Sequence, residues 1–350
     1  MRWTRRQWLR MCGLAPLAVS ALSRLPLAPV RKVEWRPLLR PKGLRPGATV
    51  AITAPASPVG LGELRSALEA LSRLGCRVVL GATVRSGKQR YLPAPDHERA
   101  QELMEFVADP TVEAVLCARG GYGVMRLLPF LEWELFRRFP KPIIGFSDIT
   151  ALLLAVVTRA RVVAYHGPVA VSTFDEFTRE FFRRTLFVPE AVKHPWRFHS
   201  PSCEVISPGV ASGPLIGGNL SLLVSLLGTP YEPDLTGAVL FLEDIGEEPY
   251  RIDRMLTHLL LAGKLQQCAA VLVGRFRAPW GRQPSSIGWQ PPVSEIVRER
   301  LGNLGIPVVS GLPLGHLRSK LTLPLGVWAE VNTHTRTIRL IEPSVDDEVA

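Results

Sequence analysis

Ile143-Ile144-Gly145-Phe146-Ser147-Asp148-Ile149-Thr150 predicts the end of a buried strand followed at once by the start of a helix. Pro142 excludes a helix that continues into this stretch, the two isoleucines are β-branched and apolar, and residues 151–157 have a helical composition. Ser147 is therefore predicted at a strand-to-helix turn, where N–H groups of a helix start can meet an oxyanion. Such a turn suits a serine nucleophile, and a plain helix cap is the equal alternative.

Strand and helix patterns alternate on both sides of this turn. The predicted elements are strands at 49–55, 77–80, 114–118 and 162–165 and helices at 64–74 and 97–108. Because strands separated by helices pair in parallel, we predict a doubly wound α/β domain whose functional groups lie at the carboxyl ends of its strands.

The second half of the chain contains shorter strands and a stretch without periodicity. Residues 187–213 mix Pro, His, Ser and Trp, which predicts a boundary between two domains. A chain of 350 residues is also longer than the chains that usually fold around a single hydrophobic core. The predicted parts are a signal (1–30), a linker (31–47), an N-terminal α/β domain (48–190), an inter-domain linker (191–213), a C-terminal domain (214–342) and a tail (343–350).

Charge and cysteine usage narrow the function classes. The net charge is +11, but residues 1–45 hold nine Arg and two Lys against Glu34 alone, which leaves +1 for the rest. A nearly neutral body argues against a nucleic-acid partner. The five cysteines form no C-x-x-C pair, which indicates neither a zinc site nor a disulfide framework, and Cys117 is predicted in the core.

The amino terminus resembles a twin-arginine export signal. Arg5-Arg6 precedes bulky apolar residues and an uncharged stretch at 11–22, which is too short for a transmembrane helix. We therefore expect export to the periplasm or cell envelope, with membrane contact only through this signal. A cytoplasmic protein with a basic tail is the alternative, and a homodimer stays open.

A serine nucleophile needs a base and a third group that orients the base. His166 ends a predicted strand and His316 lies in a glycine-flanked loop, and their spacing does not choose between them. Glu243, at a predicted strand end, is the best-placed acid, although it could equally pair with Arg251 or Arg254.

The loop Arg119-Gly120-Gly121-Tyr122-Gly123 brings backbone N–H groups to the end of another strand. Such groups suit a phosphate or an oxyanion, and a plain tight turn is the alternative. Arg126 stands where a dinucleotide fingerprint would have its third glycine, so a dinucleotide site is not indicated.

Six short motifs occur between residues 119 and 326. They are Arg119 to Gly123, Gly145-Phe146-Ser147-Asp148, His166-Gly167-Pro168, Gly217-Gly218-Asn219-Leu220, Leu242-Glu243-Asp244 with Tyr250 to Arg254, and Gly315-His316 before Leu321 to Gly326. Together they resemble the LD-carboxypeptidase family of serine peptidases, also called the muramoyltetrapeptide carboxypeptidase and microcin-immunity group. The resemblance covers about residues 50–341.

The resemblance implies a Ser147, Glu243 and His316 triad and an oxyanion hole formed by backbone N–H groups of Gly120, Gly121 and Asp148. It also implies a flavodoxin-like N-terminal domain, a smaller β-rich α/β C-terminal domain and a triad assembled between them. The implied reaction is release of terminal D-alanine from a murein tetrapeptide, through an acyl-enzyme and without a metal or other cofactor.

Three features of this expectation stay open. We predict substrate contacts for Arg119, Asn219 and His166. Within the family, a peptidase acting on a peptide-nucleotide antibiotic is the alternative, and outside it a non-catalytic exported binding protein. Residues 282–292 look like an added loop that could alter substrate access.

Overall fold

The strands form two sheets in the computed structural model, which describes residues 35, 37–86, 91–277 and 288–347. The predicted signal at 1–30 and most of the predicted added loop lie outside the described residues. The strands are β1 (Thr49–Thr53), β2 (Arg77–Leu80), β3 (Ala114–Cys117), β4 (Ile143–Gly145), β5 (Ala164–His166), β6 (Arg197–His199), β7 (Glu204–Ser207), β8 (Val210–Asn219), β9 (Val239–Ile245), β10 (Ala270–Arg277), β11 (Val308–Ser310), β12 (Leu323–Leu325), β13 (Trp328–Asn332) and β14 (Thr337–Leu340).

The helices follow the apolar periodicity of the sequence closely. The α-helices of the described residues are α1 (Arg65–Arg73), α2 (Ala82–Arg85), α3 (Asp96–Ala108), α4 (Val124–Leu127), α5 (Trp133–Arg138), α6 (Thr150–Ala155), α7 (Glu176–Leu186), α8 (Glu190–Lys193), α9 (Leu220–Ser225), α10 (Pro249–Leu261) and α11 (Val293–Leu301). None of the described helices is long and apolar enough to cross a membrane.

The first sheet has six strands in the order β12-β5-β4-β3-β1-β2. Strands β1 to β5 pair in parallel, which confirms the predicted α/β class. Strand β12 comes from the far end of the chain and pairs antiparallel with β5, with Leu323 opposite His166. This pairing brings the segment around residue 316 to the carboxyl end of the parallel strands, where Ser147 also lies.

The second sheet has eight strands in the order β6-β14-β13-β8-β9-β10-β11-β7. Its four central strands, β8 to β11, are parallel, and antiparallel strands flank them. Strand β9 continues through Ile245, so Glu243 lies inside the strand and opposite Asn219, not at the predicted strand end. The residues from Val239 to Glu243 have no exposed surface, so the carboxylate lies in the core of the protein.

Both predicted linkers contain ordered structure. Residues 191–213 include β6, β7 and the start of β8, which belong to the second sheet. In the segment 37–47, Leu39 pairs with Val162 and Leu44 with Phe187. Residues 34–350 form one compact unit, and the predicted domain boundaries stay a prediction.

Candidate active site

Ser147 lies immediately beyond β4, on a short turn that leads into α6, where the strand-to-helix pattern predicted it. Its backbone has φ 65°, in the left-handed region that side chains other than glycine rarely adopt. Strain of this kind clusters at functional sites, and a sharp turn is how a serine hydroxyl is raised above the end of a strand. The helix-cap alternative is not supported, because the hydroxyl faces a histidine instead of the helix start.

His316 joins Ser147 to Glu243. Its Nε2 lies 3.1 Å from the Ser147 Oγ and its Nδ1 lies 2.7 Å from Glu243 Oε2. A carboxylate can only accept, so the network assigns the ring proton to Nδ1 and leaves Nε2 to accept the proton of the serine hydroxyl. The three side chains are connected in the order in which a hydroxyl, a base and an orienting acid are connected in enzymes that carry out acyl transfer.

A glycine next to the base allows this contact. Gly315 has φ +77°, and a Cβ atom there would lie 2.0 Å from Glu243 Oε2. Only glycine therefore lets the backbone of the 316 loop approach the carboxylate. The Arg277 guanidinium donates to the His316 carbonyl at 3.2 Å, and the Phe146 ring packs edge-on at 4.8 Å from the imidazole.

Glu243 has no exposed surface and keeps its charge. Burial raises the pKa of the carboxyl, but contacts with His166 and His316 outweigh burial and bring the pKa to about 2. The two oxygens differ: Oε2 is bonded to His316, whereas Oε1 has no hydrogen-bond partner among the described residues. His166 Nε2 lies 3.9 Å from Oε1, which is too long for a hydrogen bond.

The glycine loop after β3 lies directly against the nucleophile. A Cβ atom on Gly120 would lie 2.7 Å from the Ser147 Cβ and 3.3 Å from the amide nitrogen of Asp148. Ser57 holds this loop, because its N–H donates to the Gly120 carbonyl at 3.3 Å and its Oγ accepts from the Tyr122 N–H at 3.1 Å. The loop and the amide of Asp148 therefore form one wall beside the hydroxyl, as an oxyanion hole requires.

Two buried side chains fix the far end of the same loop. The Arg99 guanidinium is fully buried and donates to the carbonyls of Pro55 and Gly123. The Asp148 carboxylate accepts from the Val124 N–H at 2.9 Å, and burial raises the pKa of this carboxyl. The side chain of Asp148 is thus occupied in holding the loop, which leaves its backbone N–H for the site.

Two family models match the chain: the LD-carboxypeptidase N-terminal domain over residues 50–167 and the LD-carboxypeptidase C-terminal domain over residues 212–331. The chain belongs to the LD-carboxypeptidase family. It is a serine-type carboxypeptidase, and therefore a hydrolase.

The names of similar proteins and of a similar crystal structure agree with this membership. A Bacillus subtilis protein named "Probable murein peptide carboxypeptidase" is 38% identical over 88% of this chain and 96% of its own length. The murein tetrapeptide carboxypeptidase of Pseudomonas aeruginosa is 32% identical over 80% and 92%. The microcin C7 self-immunity protein MccF of Escherichia coli is 28% identical over 85% and 93%. The crystal structure of muramoyltetrapeptide carboxypeptidase from Oxalobacter formigenes superimposes with a TM-score of 0.71 at 30% identity, covering 84% of this chain and 98% of that one.

The residues predicted to contact substrate in this LD-carboxypeptidase lie in different environments in the structure. Asn219 is 3% exposed and caps α9: its Oδ1 accepts from the Leu222 N–H and its Nδ2 donates to Asp244. These bonds give Asn219 a structural role, and its contact with substrate stays a prediction. The β8–β9 pairing that creates the Asp244 bond is not visible in the local sequence.

His166 and Arg119 occupy opposite environments. His166 is 2% exposed and packs against the rings of Phe146 and Phe241, with its Nε2 3.9 Å from Glu243 Oε1, and its contact with substrate stays a prediction. Arg119 is 33% exposed beside the glycine loop, where it lies 3.9 Å from Glu63 and donates to the Pro58 carbonyl. Of these two residues, Arg119 is the more exposed.

Other expectations are also decided by geometry. Arg251 pairs with Glu247 at 3.7 Å and Arg254 lies over the Tyr250 ring, so the alternative pairing of Glu243 with these arginines is wrong.

Cys117 is buried as predicted, and burial raises the pKa of its thiol. Within the described ranges, no group of three or more His, Cys, Asp and Glu side chains is arranged to hold a metal ion.

Sequence reasoning missed one residue near the site. Lys320 is 4% exposed, and its Nζ lies 5.2 Å from the centre of the Phe146 ring, next to the nucleophile. The sequence gives only a partial indication of this position: Lys320 lies between the Gly315-His316 motif and the apolar residues of β12. A lysine four residues after the base is ordinarily a surface residue, and its burial arises from packing.

Proposed function

We propose that this enzyme releases terminal D-alanine from a murein tetrapeptide by hydrolysing the bond between an L-centre and the D-residue. The observation that supports the proposal is the relay of Ser147, His316 and Glu243, with N–Oγ and N–Oε distances of 3.1 and 2.7 Å. The names of relatives that act on murein peptides support the substrate class.

The chemistry proceeds in two halves. Ser147 Oγ attacks the scissile carbonyl carbon while His316 Nε2 takes its proton, and Glu243 stabilises the imidazolium. The negative charge on the carbonyl oxygen is met by backbone N–H groups of Gly120, Gly121 and Asp148. His316 then passes the proton to the leaving amine, which departs as D-alanine and leaves an ester on Ser147.

Water completes the turnover. His316 removes a proton from a water molecule as that water attacks the ester carbonyl, and the proton is returned to Ser147 Oγ when the ester breaks. The products are the tripeptide acid and the free hydroxyl. No atom beyond substrate, water and these side chains is needed to balance the reaction.

Mass spectrometry of a murein tetrapeptide incubated with the full chain tests the proposal. We expect loss of one alanine from the peptide and appearance of free D-alanine. Ser147→Ala should lower kcat by about 10⁴- to 10⁶-fold without loss of folding, since the hydroxyl is the attacking group. Ser225→Ala, an exposed hydroxyl on α9, serves as the matched control and should be fully active. Undiminished turnover in Ser147→Ala would refute the assignment.

A second candidate is a peptidase that cleaves peptide-nucleotide antibiotics, and the likeness to the self-immunity protein MccF favours it. Both candidates use the same relay, so only the substrate separates them. Parallel assays on a murein tetrapeptide and on an aminoacyl sulfamoyl nucleoside should show a kcat/KM at least tenfold higher for the murein peptide. The reverse ranking would favour the antibiotic. The binding-protein alternative is set aside, because the family is enzymatic.

We also propose that the protein is exported through the twin arginine of its amino terminus. The support is the sequence Arg5-Arg6 before an uncharged stretch. Replacing both residues by lysine keeps the charge and should retain the protein in the cytoplasm, as cell fractionation would show. An unchanged distribution in that variant would favour the cytoplasmic alternative.

A further inference from the structure

Lys320 is largely buried, and its described contact is an aromatic ring. The residue is 4% exposed, and its Nζ lies 5.2 Å from the centre of the Phe146 ring. Among the described residues, no carboxylate lies within ion-pair distance of the ammonium, whereas lysines this buried are normally paired with an acid. The structure therefore places a positive charge near Ser147 that has a cation–π contact but no acidic counter-ion among the described residues.

The nearby carboxylates are engaged elsewhere. Asp175 and Glu243 are the acids whose charges act on Lys320. Asp175 accepts from the Thr178 N–H at 2.9 Å and from the Ser319 hydroxyl, whereas Glu243 is bonded to His316. Neither acid lies within ion-pair distance of the ammonium, so neither serves as its direct partner.

The position of the ammonium relates it to the reacting bond. Phe146 directly precedes Ser147, and its ring lies 5.2 Å from the Lys320 Nζ and 4.8 Å from the His316 ring. The Lys320 backbone is fixed, because its N–H donates to Thr178 Oγ1 at 3.1 Å. The terminal carboxylate of a substrate lies only one residue, about 3.8 Å, beyond the scissile carbonyl. The ammonium and the His316 imidazole contact the same ring, which belongs to the residue directly before Ser147.

We propose that Lys320 binds the free terminal carboxylate of the substrate and thereby restricts cleavage to the last peptide bond. The inference rests on the proposed carboxypeptidase reaction and adds the residue that recognises the chain end. The carboxylate would supply the missing counter-ion, and a charge-assisted hydrogen bond in a buried site is among the stronger polar contacts. Arg119 is less suited, since it already contacts Glu63 and the Pro58 carbonyl.

The test compares two substrates that differ only at the chain end: a tetrapeptide with a free D-alanine carboxylate and the same peptide with a D-alanine amide. We expect Lys320→Met to lower kcat/KM for the acid by about 10- to 100-fold, mainly through KM. The amide should change less than threefold. Lys320→Arg keeps the charge and should recover part of the preference for the acid.

The controls separate this inference from the proposed reaction. Lys141→Met removes another partly buried lysine, at the opposite end of β4 from Ser147, and should leave the acid-to-amide ratio unchanged. Equal losses for acid and amide in Lys320→Met would overturn carboxylate binding. If the methionine variant does not fold, Lys320→Gln replaces it as the uncharged variant, and its acid-to-amide ratio should be lower than that of Lys320→Arg. A wild-type enzyme that releases no D-alanine from the acid would instead refute the proposed function.

Discussion

Two buried glutamates in this molecule are bonded in opposite ways. Glu102, on α3, accepts hydrogen bonds from the Thr53 hydroxyl at 2.6 Å, the Thr83 hydroxyl and the Thr83 N–H at 2.9 Å, so both of its oxygens are occupied. Glu243, on β9, has one oxygen bonded to His316 and one oxygen without a hydrogen bond among the described residues.

The difference separates a carboxylate that holds the fold from one that serves the reaction. The donors around Glu102 are neutral hydroxyl and amide groups, which tie β1 to α2 and do not change charge during catalysis. The partners of Glu243 are imidazoles, whose charge must change as a proton moves. An incompletely bonded polar group in a core is costly, and such groups are found where function requires them.

The largest effect in this comparison is expected from Glu243→Gln. The Gln amide would donate to His316 Nδ1 and so move the ring proton to Nε2, where it prevents acceptance of the Ser147 proton. We expect kcat to fall by about 10⁴-fold with little change in unfolding free energy. Steady-state release of D-alanine and urea denaturation measure the two quantities. Retained activity would show that the carboxylate does not set the tautomer.

Glu102→Gln should show the reverse pattern. The amide nitrogen of Gln cannot accept, so a hydroxyl or N–H of Thr53 or Thr83 loses its acceptor. We expect a loss of about 1–3 kcal/mol in unfolding free energy and unchanged kcat/KM. If Glu102→Gln inactivates the folded enzyme, or if Glu243→Gln mainly destabilises it, the division between the two carboxylates is wrong.

The sequence predicts the part of the site that depends on neighbouring residues, which is the turn at Ser147. The turn at Ser147 follows from a proline, two isoleucines and a helix within fifteen residues, whereas Glu243 and His316 were chosen through the family resemblance. Spacing did not separate His166 from His316, and the structure shows a physical reason: both imidazoles lie within 4 Å of the same carboxylate.

What the sequence did not predict depends on contacts between distant segments. The hydrogen bond between the Asn219 amide and Asp244 arises from the pairing of β8 with β9, which the local sequence does not show. Strands β6 and β7 have three and four residues, which is too few for a periodic signal, so the sequence predicts a linker there. Lys320 is buried by Phe146 and by the segment around Thr178, which neither its neighbours nor its composition reveals.

A smaller effect is expected at the open oxygen of Glu243. His166→Phe removes the imidazole that lies 3.9 Å from Oε1, and the new ring can pack between Phe146 and Phe241. We expect kcat to fall by about tenfold, because the contact is electrostatic and lacks a hydrogen bond. His166→Gln, which restores a donor, should recover part of the loss. Complete inactivation by His166→Phe together with an active His316→Ala would identify His166 as the base.

The smallest expected effect is a pH dependence of KM, and it separates the charge of Glu243 from the charge of Lys320. With a pKa of about 2, Glu243 stays ionised at every pH at which the enzyme is assayed, so it contributes no limb to the pH profile. Burial lowers the pKa of Lys320 to about 8, and the charges of Asp175 and Glu243 only partly offset this shift. Lys320 is therefore charged below about pH 8 and neutral above it.

If the Lys320 ammonium binds the terminal carboxylate, KM for the acid substrate should rise a few-fold between about pH 7.5 and pH 8.5 as the charge is lost. The amide substrate lacks the carboxylate and should show no such rise. Lys320→Arg stays protonated well beyond this range and should remove the limb for the acid as well. The same alkaline limb in Lys320→Arg would assign the titration to another group, because an arginine cannot lose its proton at that pH.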